Sequence, residues 1–292
     1  MKKYKFTGET KSYMGITLHR IRALKDFGNV KEGDIGGWIE KEENLSHTGL
    51  CWIYDEAIVR EDARVTENAR AYNISEISGQ ALIREDAVIR NDVKIYDSTD
   101  IYGRAEVYGQ AEIYEKAKIC KNSKVYDCAK IHGNAWICGN SKIYEFAEVY
   151  ENSEVYGNSE VRGNSKVYGN SKIYNYAKIC DNAEIRGDTE ILNDVVIGKD
   201  AVIESSRDYI FIGPVGSKNK VVTVFKTSEG IRILRGCFYG SIEEFENKVK
   251  SKHKDNEYGN EYLDFVELLK TRFNKKIPQN GGNRLCKGES KK

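Results

Sequence analysis

From Ile53 to Ile203, Ile or Val recurs at every sixth position without a break in register. There are 26 such starting positions, and Ala71 is the one departure. Four residues after each start comes a small side chain, as at Ala57, Ala63, Ser75 and Ser171, with Val93 and Val195 slightly larger. Ser171-Lys172-Ile173-Tyr174 displays the unit: small, charged, apolar, aromatic. That alternation of inward and outward side chains predicts a short half-buried strand. Asn175-Tyr176 then turns a corner, as Gly157-Asn158 does elsewhere. Asn or Asp in the second corner position tolerates left-handed backbone. Three strands and three corners close a triangular coil of 18 residues. Stacked coils then satisfy one another's backbone groups, which is a parallel β-helix. At about 4.8 Å per coil, the stack is roughly 42 Å tall.

The outward positions repeat with the coil. On one face the charges before each start read Glu76, Lys94, Glu112, Lys130, Glu148, Lys166, Glu184, alternating from coil to coil. Opposite charges on neighbouring strands contribute about 0.2–1 kcal/mol per pair and fix register. After the start, the same face carries Tyr96, Tyr114, His132, Tyr150 and Tyr168. Tyr108, Tyr126 and Tyr144 share another face, and Tyr156 and Tyr174 the remaining one. Such columns predict aromatic ladders, and tyrosine also suits a contact surface.

The flanks do not repeat. Residues 1–52 predict an N-terminal cap and first coil, with a strand over Ile16–Leu24 and a turn at Gly33–Ile39 that leads into the stack. An open β-helix exposes strand edges, so each end needs a cover. Residues 53–206 form the shaft, and 207–276 predict a small α+β module. In it, Asp208–Ile212, Lys220–Lys226 and Ile231–Leu234 are strands. Ser241-Ile242-Glu243-Glu244 is a capping box opening one helix, and Tyr258 to Phe273 fits a second. The Gly/Asn/Lys-rich tail, 277–292, is expected to be disordered.

Charge divides along the same lines. The total of +1 conceals +2 for residues 1–52, −8 for 53–206 and +7 for 207–292. No run of apolar residues suits a membrane span, and MKKYKFTGET lacks the apolar core of a secretory signal. Seven cysteines, an odd number, point to a reducing compartment. The expected location is therefore the cytoplasm.

Residues 53–205 closely resemble the hexapeptide-repeat family of left-handed parallel β-helices, and Ile197-Gly198-Lys199-Asp200-Ala201-Val202 is similar to that family's unit. The resemblance implies the left hand, a homo-oligomer (a trimer in this family) and a common activity, acyl transfer. Those enzymes use a histidine base in a cleft between subunits, often beside a loop that breaks the coil. The shaft here has one histidine, His132, and no such loop. The flanks, with His19-Arg20-Ile21-Arg22-Ala23-Leu24, Gly216-Ser217-Lys218-Asn219-Lys220 and Gly236-Cys237-Phe238, resemble uncharacterised phage and prophage hexapeptide-repeat proteins. That likeness brings no established activity.

Three functions follow. The leading expectation is a non-enzymatic, oligomeric binding protein of phage type. It would hold a small anionic, nucleotide-like ligand or a host partner, as a counter-defence protein that sequesters a signal nucleotide does. The Gly/Ser/Asn loop offers backbone N–H groups and flanking lysines to an anion. The ligand-binding candidates are Ser217, Lys218, Asn219, Lys220, Thr223, Arg232, Arg235, His253 and Tyr258. No cofactor is expected for this role. The alternative is an acyltransferase using acetyl-CoA, with His132 as the catalytic candidate. The third is a structural spacer or spike. Cys120 and Cys138 stack one coil apart and lack the further ligands a metal site needs. No membrane or metal is expected to take part, and no groove-reading motif favours nucleic acid.

Overall fold

The computed structural model describes residues 2–254 and 256–274. The tail expected to be disordered, 277–292, lies outside the described residues. Strands β1 (Tyr4–Tyr13), β2 (Ile16–Ala23) and β3 (Ile35–Ile39) precede 26 two-residue strands, β4 to β29, which run from Trp52–Ile53 to Val202–Ile203. These short strands stack as three parallel sheets. The first face runs from Ile58–Val59 to Val202–Ile203, the second from Arg64–Val65 to Glu190–Ile191, the third from Trp52–Ile53 to Val196–Ile197. Each strand pairs with the one 18 residues on, as Lys94 with Glu112 and Ile95 with Ile113. The result is a parallel β-helix whose interior is a column of Ile, Val, Ala and Ser, nearly all without solvent exposure.

Most of the core serines are accommodated because the hydroxyl finds a partner locally; Ser75 Oγ alone among them has none. Ser123 Oγ donates to the Cys120 carbonyl at 2.7 Å, and Ser141, Ser153, Ser159, Ser165 and Ser171 repeat the bond three residues back. A buried hydroxyl with its hydrogen bond made escapes the desolvation penalty.

The corners differ from the expectation. The left-handed residue is the first corner position, not the second: Asp55, Glu61, Asp97, Glu115, Glu145 and Asn175 all have φ near +60°. Their side chains explain the choice of residue. Glu115 Oε2 accepts the N–H of Gly133, one coil on, at 2.7 Å. Asp97 does the same for Glu115 at 3.1 Å, and Glu145 for Gly163 at 2.7 Å. Gly133 itself has φ +69°, and a Cβ there would lie 2.5 Å from the Glu151 nitrogen. The second corner position instead carries amide ladders, Asn134 to Asn152 to Asn170 to Asp188, at 2.8–3.1 Å.

Both ends are covered. At the first, β1 pairs antiparallel with β2, β2 with β3, and β3 joins the first face alongside Ile58–Val59. Tyr4, Phe27 and Trp52 close the interior, with Trp52 centred 5.4 Å from Phe27. Lys3 is buried there, its Nζ donating to the Cys51 carbonyl at 2.7 Å, and burial pushes its ammonium pKa down.

At the other end β30 (Tyr209–Val215), β31 (Lys220–Thr227), β32 (Gly230–Arg235) and β33 (Phe238–Gly240) form an antiparallel sheet. One side, with Tyr209, Phe211, Phe225, Leu234 and Tyr239, packs on the shaft core. The other side, with Val222, Val224 and Ile233, packs on α1 (Ile242–His253) and α2 (Glu257–Asn274). Ser241 caps α1 with the expected reciprocal box, its hydroxyl accepting the Glu244 N–H at 3.1 Å. Among the described residues, no helix is long and apolar enough to cross a membrane.

Candidate functional site

The first face presents the one histidine of the shaft. His132 stacks between Tyr114 and Tyr150, with ring centroids 4.6 and 4.9 Å away and planes within 4°. The stacking follows from in-register strands, which place like positions one strand spacing apart. Its Nε2 lies 3.2 Å from Glu148 Oε1, on the neighbouring strand. Glu148 also stands 3.6 Å from Lys166 Nζ, and the next carboxylate, Glu112, pairs with Lys130 at 3.2 Å. His132 is thus a ladder rung that is also joined to a carboxylate. The pair comes from two repeats, one ladder slot and one charge slot, so the repeat pattern alone made it legible only as a neighbour relation.

Around the corner from His132, Trp136 stands on the second face. It is 41% exposed, whereas Trp38 and Trp52 are buried. A groove of about 590 Å³ surrounds it, lined by Tyr102, Lys116, Lys118, Asn134, Asn152 and Glu154. Cys120 and Cys138 occupy the slots that tyrosine fills in other coils. They were expected to face outward, but both are buried. The Trp136 indole meets the first of them, its Nε1 donating to Cys120 Sγ at 3.2 Å, and the two cysteines are disulfide-bonded, with Cα atoms 4.8 Å apart.

The residues expected to bind an anion are spread over both sides of the C-terminal sheet. Ser217, Lys218 and Asn219 lie in an exposed turn between β30 and β31, and Lys220, also exposed, opens β31. The Gly216 N–H of that turn already donates to Glu261 Oε2 at 2.8 Å, and the Asn219 N–H to the Gly216 carbonyl at 2.9 Å. Thr223 is 3% exposed within β31. Arg232 points to the shaft side and pairs with Glu229 at 3.0 Å. Tyr258 stands exposed at the start of α2. Only Arg235 and His253 meet, in a small cavity with Lys248 and Lys252. The two lysines, i and i+4 on α1, went unnoticed in the sequence because that helix was read for its apolar face. Among the described residues no group of three or more His, Cys, Asp or Glu is placed to hold a metal ion.

No family model matches the chain. A protein of Escherichia coli (strain K12) named as an uncharacterized acetyltransferase, YdcK, is 34% identical over 89 residues. That stretch is 27% of this chain and 27% of the relative, so the chain spans about a quarter of the curated relative's length. Among solved structures, the UDP-N-acetylglucosamine O-acyltransferase LpxA from Moraxella catarrhalis aligns with 79% of this chain and 95% of its own, at 13% identity and a TM-score of 0.46. The expectation of a non-enzymatic binding protein is corrected here. The curated relative carries an acetyltransferase's name, and the residues that were to form the anion site are not assembled into one. The phage-type, counter-defence reading finds no support in these relatives.

Proposed function

We propose that the protein is an acyltransferase that takes its acyl group from acetyl-CoA, with His132 as general base and Glu148 as its positioning residue. The observation that carries this reading is the His132–Glu148 pair at 3.2 Å. When Glu148 accepts the Nε2 proton, the neutral imidazole keeps a lone pair on Nδ1. That nitrogen takes the proton of an acceptor hydroxyl or amine as the acceptor attacks the thioester carbonyl. The carbon–sulfur bond then breaks, and the proton on His132 passes to the leaving coenzyme thiolate. Tyr114 and Tyr150 hold the ring between them and fix its plane.

The match to a protein named as an acetyltransferase supports the same reading. A second copy of the chain belongs to the proposal, because one flat face supplies a single wall and a cleft needs two. So does the cytosol, where acetyl-CoA is made available. The test supplies acetyl-CoA and a panel of hydroxyl and amine acceptors to the full chain. Released CoA is read by chromatography, since the exposed Cys237 would react with a thiol dye. Turnover is expected, falling about 10²–10⁴-fold in His132→Gln and less in Glu148→Gln. No CoA release with any acceptor, or undiminished release by His132→Gln, removes the assignment.

A further inference from the structure

The C-terminal module holds a cavity of about 60 Å³ between β32, β33 and the two helices. That is room for about two waters, or for one tetrahedral oxyanion. Four basic side chains line it: Arg235 from β32, and Lys248, Lys252 and His253 from α1. Phe238, Phe245, Val249 and Tyr262 supply the apolar wall. Among the described residues, no carboxylate lies within ion-pair distance of any of the four. The acidic side chains nearby are engaged elsewhere. Glu246 serves Lys250 and Lys270, Glu261 accepts the Gly216 N–H, and Glu244 accepts the Ser241 N–H.

Arg235 is the most informative of the four. Its guanidinium lies over the Tyr262 ring, 4.9 Å from the centroid. Its Nε is buried and has no hydrogen-bond partner. A buried guanidinium N–H without an acceptor has lost its water and gained nothing in return, so native proteins rarely leave one so. Lys248 is held over the Phe238 ring at 5.1 Å. A planar fork over an aromatic face, with two lysines lining the same cavity, is the donor set that takes a phosphate oxygen pair.

We infer that this cavity is an oxyanion site for a phosphate monoester or inorganic phosphate. The site stands apart from the acyl-transfer reading. Only one source of the phosphate rests on that reading, namely the 3′-phosphate of coenzyme A. Inorganic phosphate is the probe: calorimetry of the full chain at low salt is expected to show one saturable site. Arg235→Gln weakens it at least tenfold, and Lys252→Gln, on an exposed helix position, weakens it several-fold without disturbing the fold. Competition by coenzyme A but not by its dephospho form identifies the donor as the source. Competition by neither leaves free phosphate as the ligand. Folded protein that binds no phosphate, or that binds it equally in both variants, overturns the site. Because the readout is binding, a protein that holds phosphate but never transfers an acyl group keeps this site and sinks the other proposal.

Discussion

At the scale of the residue, each position of the repeat has one physical task, and the tasks differ in how plainly the sequence announces them. The start position fills the core. Ile113, with no solvent exposure and neighbours above and below, is expected to lose about 2–5 kcal/mol as Ile113→Ala, from lost transfer energy plus the cavity left behind. Chemical denaturation measures it, and a loss below 1 kcal/mol would show that the coil collapses onto the gap. That inward column was fully legible, since a strict period leaves no choice of face. The corner was not. Its second position is rich in Asn and was read as the left-handed one. The chain instead puts Glu, Asp, Asn or Gly first, and a side-chain oxygen there accepts the N–H of the first-corner residue one coil on, as Glu61 and Glu115 do for Gly79 and Gly133. A bond between residues 18 apart has no local signature, and glutamate is not an ordinary left-handed residue. His132 shows the same limit: its slot was legible, its bond to Glu148 was not.

At the scale of the element, the aromatic ladders work as columns. Tyr96, Tyr114, His132, Tyr150 and Tyr168 stack with centroids 4.6–5.0 Å apart. Burial within the column, and then the neighbouring Tyr168, pushes the Tyr150 hydroxyl up from 10.0 to about 12. The folded state therefore holds this proton more tightly than the unfolded chain. Its contribution to stability is complete below pH 10 and is lost as pH rises through about 12. The thermal midpoint is expected to fall across that interval, and Tyr150→Phe, which keeps the ring, to flatten part of the fall. Ordinary titration of every ladder phenol, read by ultraviolet absorbance, would contradict this. The terminal elements were legible in part. The capping box marked α1, and alternation marked β2 and β31. Strand β1 escaped because its apolar face stops after Tyr4 and Phe6, where Gly8, Thr10 and Ser12 continue it, and its pairing with β2 supplies what its composition lacks.

At the scale of the whole molecule, two unlike caps enclose a stack whose parts are interchangeable along one axis. The N-terminal cover extends the first sheet, whereas the C-terminal sheet lies across the last coil, with its Thr227 bridged to Ala201. That arrangement keeps strand edges from recruiting another chain. Much of the basic excess read from the last 86 residues falls in 275–292, through Lys275, Lys276, Arg284, Lys287, Lys291 and Lys292. Charge by segment therefore reflects mostly this tail, and does not single out the cavity lined by Arg235, Lys248, Lys252 and His253. The alternating charges of the first face carry a further consequence, which concerns the length of the molecule. Excising residues 97–114, one coil, would seat Lys94 against Lys130. Excising 97–132, two coils, would seat Lys94 against Glu148 and Tyr96 against Tyr150. The two-coil deletion is expected to lose less stability per coil removed than the one-coil deletion, and equal losses per coil would show that the charges do not matter. The stack thus has a parity: it lengthens or shortens smoothly only by even steps.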